Sequence, residues 1–357
     1  MSETTYRGRR AVSVENERIR VTMLVEGGHI AELLHKSSGV NPLWTPPWPS
    51  IEPSSFDPAK HTATYGAHAE SKLLSGLMGH NLCMDIFGGP SPEETAAGMT
   101  PHGEASIAAY ELGEVNGTLT AKASFPMAQL AFTRTIRTAG NVAIIEEEVE
   151  NIAPLDKPTA WTQHATLGAP FVERGKTALR ASATKSRVYE ADFAGEFGFM
   201  QPGADFHWPH APLKNGGTRD LRQYTSAAAS GGLTTHLMDP AREQAFVLAW
   251  HPDTKVLCGY VWQRADFPWL AIWEENHGRK VAPWNGDTLT WGLEFGVNPM
   301  PEPRRQMIER GSMFGVPGYR WIPAKSKAVV RYCAFVTNAA AIPEQVTWDG
   351  EAGLTFG

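Results

Sequence analysis

Apolar and polar side chains alternate along residues 10–25 (RAVSVENERIRVTMLV), with many β-branched residues, the pattern of a half-buried strand. Gly27 and Gly28 form a turn, and 29–35 (HIAELLH) resumes as a second strand, so the chain is predicted to open with a hairpin. Short alternating segments recur at 108–115, 117–125, 129–138, 142–151 and 160–167. They return at 232–238, 244–251, 256–264, 269–275, 288–296 and 327–337. Asn116-Gly117 and Gly140-Asn141 suit tight hairpin turns. Amphipathic helices are few, the best being the short 303–310. Strand following strand without βαβ alternation predicts an all-β fold of two large, packed, mostly antiparallel sheets. No fixed repeat suggests a propeller. No linker divides the chain, so 1–357 is expected to be a single domain.

The interruptions are as informative as the strands. Residues 41–58 hold six prolines and cannot donate a regular ladder of hydrogen bonds, which predicts an ordered arm. Trp44, Trp48 and Phe56 punctuate it, so it is expected to pack on the body. Residues 60–98 are the least periodic. Within them 80–90 (HNLCMDIFGGP) has the composition of a loop at a cleft rim, and 202–215 (PGADFHWPHAPLKN) reads as another loop.

Composition narrows the class. At 42% hydrophobic and 20% charged residues, the chain is an ordinary globular protein with ample core material. A net charge of −6 argues against nucleic-acid or anionic-membrane partners, which require a concentrated basic face. Arg304-Arg305 and similar pairs read as solvated surface. Cys83, Cys258 and Cys333 are odd in number and set among apolar neighbours, so buried reduced thiols are expected. The first ten residues lack the apolar stretch of a signal peptide, and no apolar run approaches the ~20 residues of a membrane span. A cytoplasmic location is the expectation.

Three stretches carry candidate chemistry: 98–106 (GMTPHGEAS), 160–171 (AWTQHATLGAPF) and 290–302 (TWGLEFGVNPMPE). His102 lies in a Pro-His-Gly turn, where glycine permits close backbone approach to a ligand and imidazole can exchange protons near neutrality. His164 sits near a strand end among small neighbours. Thr162 shares its face, and Trp161 and Gln163 share the opposite one. His102 is otherwise a turn histidine bonded to its own backbone, and a lone histidine such as His164 is more often a core residue satisfied by a carbonyl. Glu294 is a carboxylate inside an apolar strand, costly unless paired or raised in pKa. Gly292 and Gly296 leave space on its face for a ligand to fill. Tryptophans abound in the strand-rich part, and a sugar site needs one or two rings to cover C–H faces.

Other constellations are weaker. Glu274 and Glu275 point to opposite faces of a strand and are poor joint metal ligands with His277. Glu146-Glu147-Glu148 reads as a strand edge or a solvated face. No glycine pair has the strand–loop–helix context of a phosphate cradle, and no GxSxG element exists. Neither a metal nor a cofactor is expected.

Taken in order, the Gly27-Gly28-His29-Ile30 turn, His102-Gly103-Glu104-Ala105, Asn151 to Pro154 leading into Trp161, His164, Gly168, Pro170 and Phe171, and Leu293-Glu294 with Asn298-Pro299 resemble the galactose mutarotase (aldose 1-epimerase) superfamily. The resemblance implies a β-supersandwich that binds a pyranose in a cleft. It matches Glu294 to the base, His164 to the acid, and His102 to a histidine binding near the ring oxygen. Asp85, Glu104, Trp161 and Gln163 are the accompanying substrate-binding candidates. The implied partner is a monosaccharide or sugar derivative. The chain departs from the family pattern in its long Pro-rich arm and the loop through Asp85 and Phe87. It also lacks the arginines near the His-Gly turn that suit phosphorylated hexoses. A non-catalytic carbohydrate-binding protein of the same fold is the alternative, and an isomerase or lyase of modified sugars is a further one.

Overall fold

The computed structural model describes residues 4–357. Residues 1–3, part of the segment considered for a leader, lie outside them. Two large antiparallel sheets dominate. One has eight strands, in the order Ala178–Ala181, Gln244–Trp250, Val256–Gln263, Lys327–Asn338, Val142–Asn151, Leu130–Ala139, Thr118–Phe125 and Glu111–Val115. The other has eleven. Through its middle run Ile30–His35, His80–Met84, Trp161–Gly168, Leu289–Gly296, Trp269–Asn276 and Ser230–Met238. The expected strands from 108 onward are present, most of them within a residue or two of their expected bounds, and helix 303–310 appears as Arg304–Arg310. Asn116 (φ 52°) and Gly117 (φ 76°) both adopt the left-handed conformation that a two-residue hairpin turn requires.

The sheets face each other across one apolar core. Trp161, Ala165 and Leu167 from the larger sheet meet Phe132, Ile145, Val149 and Tyr332 from the smaller. A polar knot is set into this core. Glu147 accepts from Arg134 (2.9 Å), Trp161 Nε1 (2.9 Å), Gln163 Nε2 (2.7 Å) and the Tyr332 hydroxyl (2.8 Å). Each carboxylate oxygen is therefore satisfied without water, as a fully buried charge demands. The acidic run is thus neither an edge nor wholly solvated, because its strand lies between two others and its middle residue faces the core.

The opening hairpin is really three strands, Arg9–Glu15, Ile19–Leu24 and Ile30–His35. Asn16 reverses the chain, its side chain accepting from the backbone of Arg18 (2.8 Å) and Ile19 (3.0 Å). Residues 80–84 form an interior strand rather than a rim loop. His80 binds Gln163 and Tyr260 on the core side while Asn81 bonds Ser106 on the other, so polar residues on both faces hide the alternation. Loop 202–215 holds two short strands, Asp205–His207 and His210–Pro212.

A third layer covers the outer face of the larger sheet. The Pro-rich arm packs there as expected, with Trp44 and Trp48 buried. Trp44 stacks on Trp284 (5.9 Å between centroids), and Trp48 meets Trp284 edge-on at 5.0 Å. Helices Pro58–Tyr65 and Ser71–Gly76 lie beside them and add Tyr65, Leu73 and Leu74 to the same cluster. Among the described residues no helix is long and apolar enough to cross a membrane.

Candidate functional site

Strand Trp161–Gly168 is buried throughout and divides two environments. Trp161, Gln163, Ala165 and Leu167 face the core between the sheets, so Thr162, His164 and Thr166 face the outer layer. Pairing places His164 directly opposite Glu294 on one neighbour and Asn81 on the other. The side chains of His164 and Glu294 therefore project together. Nε2 of His164 lies 3.1 Å from Oε1 of Glu294, and Nδ1 lies 3.1 Å from the Thr166 hydroxyl.

His102 arrives from a different element. Its backbone N–H donates to Gly88 (2.8 Å), and its carbonyl accepts from Met84 (3.2 Å), which clamps the loop onto strand His80–Met84. The residue holds φ at 64°, rarely adopted by a non-glycine and a mark of a constrained site. Its ring lies 5.0 Å from that of His164, and its Nδ1 lies 2.8 Å from Cys83 Sγ.

These three residues line a cavity of about 200 Å³ between the larger sheet and the outer layer. That size accommodates one small molecule rather than a chain of sugar units. Leu73, Leu77, Phe87, Leu233, Trp273 and Trp284 supply apolar walls, while Glu70 and Arg279 add charge. The Arg279 guanidinium lies 4.7 Å from the Trp284 ring centre and is shared between Glu70 (3.8 Å) and Glu275 (3.5 Å). Trp273, 6% exposed, has an indole N–H without a protein acceptor.

Burial governs the electrostatics. Loss of water pushes the Glu294 carboxyl up to about 8, against a smaller opposing pull from Arg279. Burial also holds His164 well below the ordinary histidine range, with His102 adding to the effect, and lowers His102 to about 4. Both rings are neutral near pH 7, and the pair His164–Glu294 carries its shared proton on the carboxyl. Moving that proton across 3.1 Å creates an imidazolium and a carboxylate without changing the total charge.

The sequence candidates divide into two groups. His102, His164 and Glu294 come together at the cavity. Asp85, Glu104, Trp161 and Gln163 do not line it. Trp161 and Gln163 face the opposite side and are bound to Glu147. Glu104 accepts from Ala128 N–H (2.9 Å), and Asp85 is paired with Lys157 (3.1 Å) and Arg304, so Arg304 is not simply solvated. The glycines also act differently from expectation. A Cβ on Gly292 would stand 2.5 Å from Glu294 Oε1 and 3.0 Å from Trp273, so the space belongs to those side chains. Gly296 makes room for Thr162, and Gly103 for the Met84 carbonyl, rather than for a ligand. Sequence reasoning did not single out Glu70, Tyr189, Phe193 or Arg279. Only the helical segment 71–76, unrecognised as such, could have pointed to the Leu73–Leu77 wall.

No family model matches the sequence, and no curated protein matches it. Solved structures do. A protein from Klebsiella pneumoniae, provisionally named an aldose 1-epimerase, superposes with a TM-score of 0.67 at 13% identity, over 93% of this chain and 80% of that one. A galactose mutarotase-like protein from Lactobacillus casei gives 0.58 at 13% identity, over 92% and 100%. An Escherichia coli protein, also provisionally named an aldose 1-epimerase, gives 0.59 at 9% identity, over 92% and 99%. What these likenesses establish is architecture: the chain has the galactose mutarotase-like fold.

Proposed function

We propose that this chain is an aldose 1-epimerase-like isomerase, interconverting the α and β anomers of a free monosaccharide by acid–base ring opening. The observation that carries the reading is the His164–Glu294 contact of 3.1 Å in the lining of a cavity sized for one sugar ring. Anomerisation removes the proton of the C1 hydroxyl and delivers one to the ring oxygen. Those oxygens are bonded to the same carbon, so the base and the acid must stand side by side.

The pair first shifts its proton from Glu294 to His164 Nε2. The Glu294 carboxylate then takes the C1 hydroxyl proton as His164 gives its proton to the ring oxygen. The C1–O bond to the ring breaks, leaving an open-chain aldehyde. Rotation about C1–C2 and the reverse transfers close the ring with the opposite anomer. No electrons leave the sugar, so the reaction calls for no redox cofactor. Buried, with a carboxyl near 8, the pair can change protonation state at neutral pH. Trp273 and Trp284 offer faces for sugar C–H groups. Arg279 already meets two carboxylates, which favours an uncharged sugar over a phosphorylated one.

Freshly dissolved α-glucose and α-galactose, followed by proton NMR of the anomeric signals, test this reading. Equilibration faster than in buffer supports it. Saturable binding with no acceleration for any common aldose assigns the chain to the carbohydrate-binding class instead.

A further inference from the structure

Cys83 is fully buried, on the strand that flanks His164, and it touches His102. The hydrogen-bond directions around it can be worked out from the backbone outward. The Ser106 hydroxyl donates to the Leu82 carbonyl (2.8 Å), so it must accept from Asn81 Nδ2 (3.0 Å). That fixes the Asn81 amide, whose Nδ2 also lies 3.9 Å from Cys83 Sγ and donates toward sulfur. Accepting on that side leaves the S–H of Cys83 available to donate on the other. There the partner is Nδ1 of His102, at 2.8 Å. A neutral imidazole that accepts at Nδ1 carries its hydrogen at Nε2. Burial supports this arrangement by keeping Cys83 a thiol and His102 uncharged.

We infer that Cys83 is a positioning residue whose thiol locks His102 in the Nε2–H tautomer, so that the ring edge away from Cys83 presents a hydrogen-bond donor to the cavity. The chain Ser106–Asn81–Cys83–His102 connects the backbone of strand His80–Met84 to that donor. What the donor serves rests on the proposed function: an N–H there holds a sugar oxygen beside His164 and Glu294, which a lone pair could not do for the ring oxygen.

The test is long-range nitrogen–proton NMR of the full chain labelled with ¹⁵N-histidine, with His102 identified by the signal missing in His102→Gln. The expected wild-type pattern is a neutral ring protonated at Nε2. Cys83→Ser, which retains a hydroxyl donor, is expected to keep that pattern, and Cys83→Ala to lose it to a mixture with the Nδ1–H form. In the anomer-exchange assay Cys83→Ala is expected to lose at least about tenfold in kcat, well within the ~10⁴-fold that a wrong imidazole tautomer costs a catalytic triad. Cys83→Ser should recover most of that loss. An Nδ1–H ring in the wild type overturns the inference even if no variant folds, as does a Cys83→Ala ring that stays wholly Nε2–H. A wild type with the Nε2–H pattern but no anomer exchange leaves the tautomer assignment standing and removes the proposed function.

Discussion

At the scale of single residues, the site depends on where one proton resides. Glu294 and His164 share it across 3.1 Å, and burial favours the carboxyl as its holder until about pH 8. Above that value the pair becomes a carboxylate beside a neutral imidazole, which retains a base but has lost its acid. After subtraction of the buffer rate, kcat for anomer exchange is expected to be level from pH 6 to 7.5 and to fall as pH rises through about 8. A catalysed rate that climbs through pH 8 would mean that a lone carboxylate suffices. The carboxylate was legible in the sequence because a charge in an apolar strand demands a partner. The partner's identity was implied by resemblance, and only strand register brought Glu294 opposite His164.

At the scale of elements, the central strands carry two jobs on opposite faces. One face binds the core knot around Glu147, and the other carries the candidate chemistry. Sequence alternation located both faces of Trp161–Gly168, but it could not tell which one met the cleft, so Trp161 and Gln163 were assigned to a site they face away from. Strand His80–Met84 was invisible because His80 and Asn81 are polar on both sides, each with its own buried partner. The glycines of Leu289–Gly296 make space, but not for a ligand: Gly292 makes it for Glu294 and Trp273, and Gly296 for Thr162. Gly292→Ala should therefore fold yet displace the carboxylate. Its kcat is expected to fall by roughly 10²-fold, the cost of misplacing a reacting group by about 1 Å. Wild-type kcat in that variant would show that the Glu294 side chain has freedom the packing denies.

At the scale of the whole molecule, the strand-on-strand pattern predicted the two sheets because each strand buries one face in a shared core. The outer layer was less legible, since the arm and the short helices pack irregularly on Trp44, Trp48 and Trp284 and have no period of their own. Burial of polar groups in all these layers makes stability sensitive to acid. His29, His80 and His236 are depressed to about 3, and His102 to about 4, each chiefly by desolvation. Between those values and 6.5 the unfolded chain binds the extra protons. The contribution of these histidines to stability is therefore full above pH 6.5 and lost as pH falls toward their folded values, by on the order of 1.4 kcal/mol per pH unit for each such group. Glu294 acts in the opposite sense, its folded form keeping a proton up to about 8. Urea midpoints are expected to drop steadily from pH 6.5 to 4.5, and a flat profile there would mean that these rings are charged in the folded state.

The central claim is that this cavity opens and closes a sugar ring through Glu294 and His164. Anomer equilibration by NMR, run on the wild type beside Glu294→Gln and His164→Asn at matched concentration, addresses it most directly. Each variant should retain the native circular dichroism spectrum while losing about a hundredfold or more in rate, within the ~10²–10⁴-fold that one acid or base contributes. A wild type that accelerates no aldose, or a Glu294→Gln variant that matches it, would contradict the account.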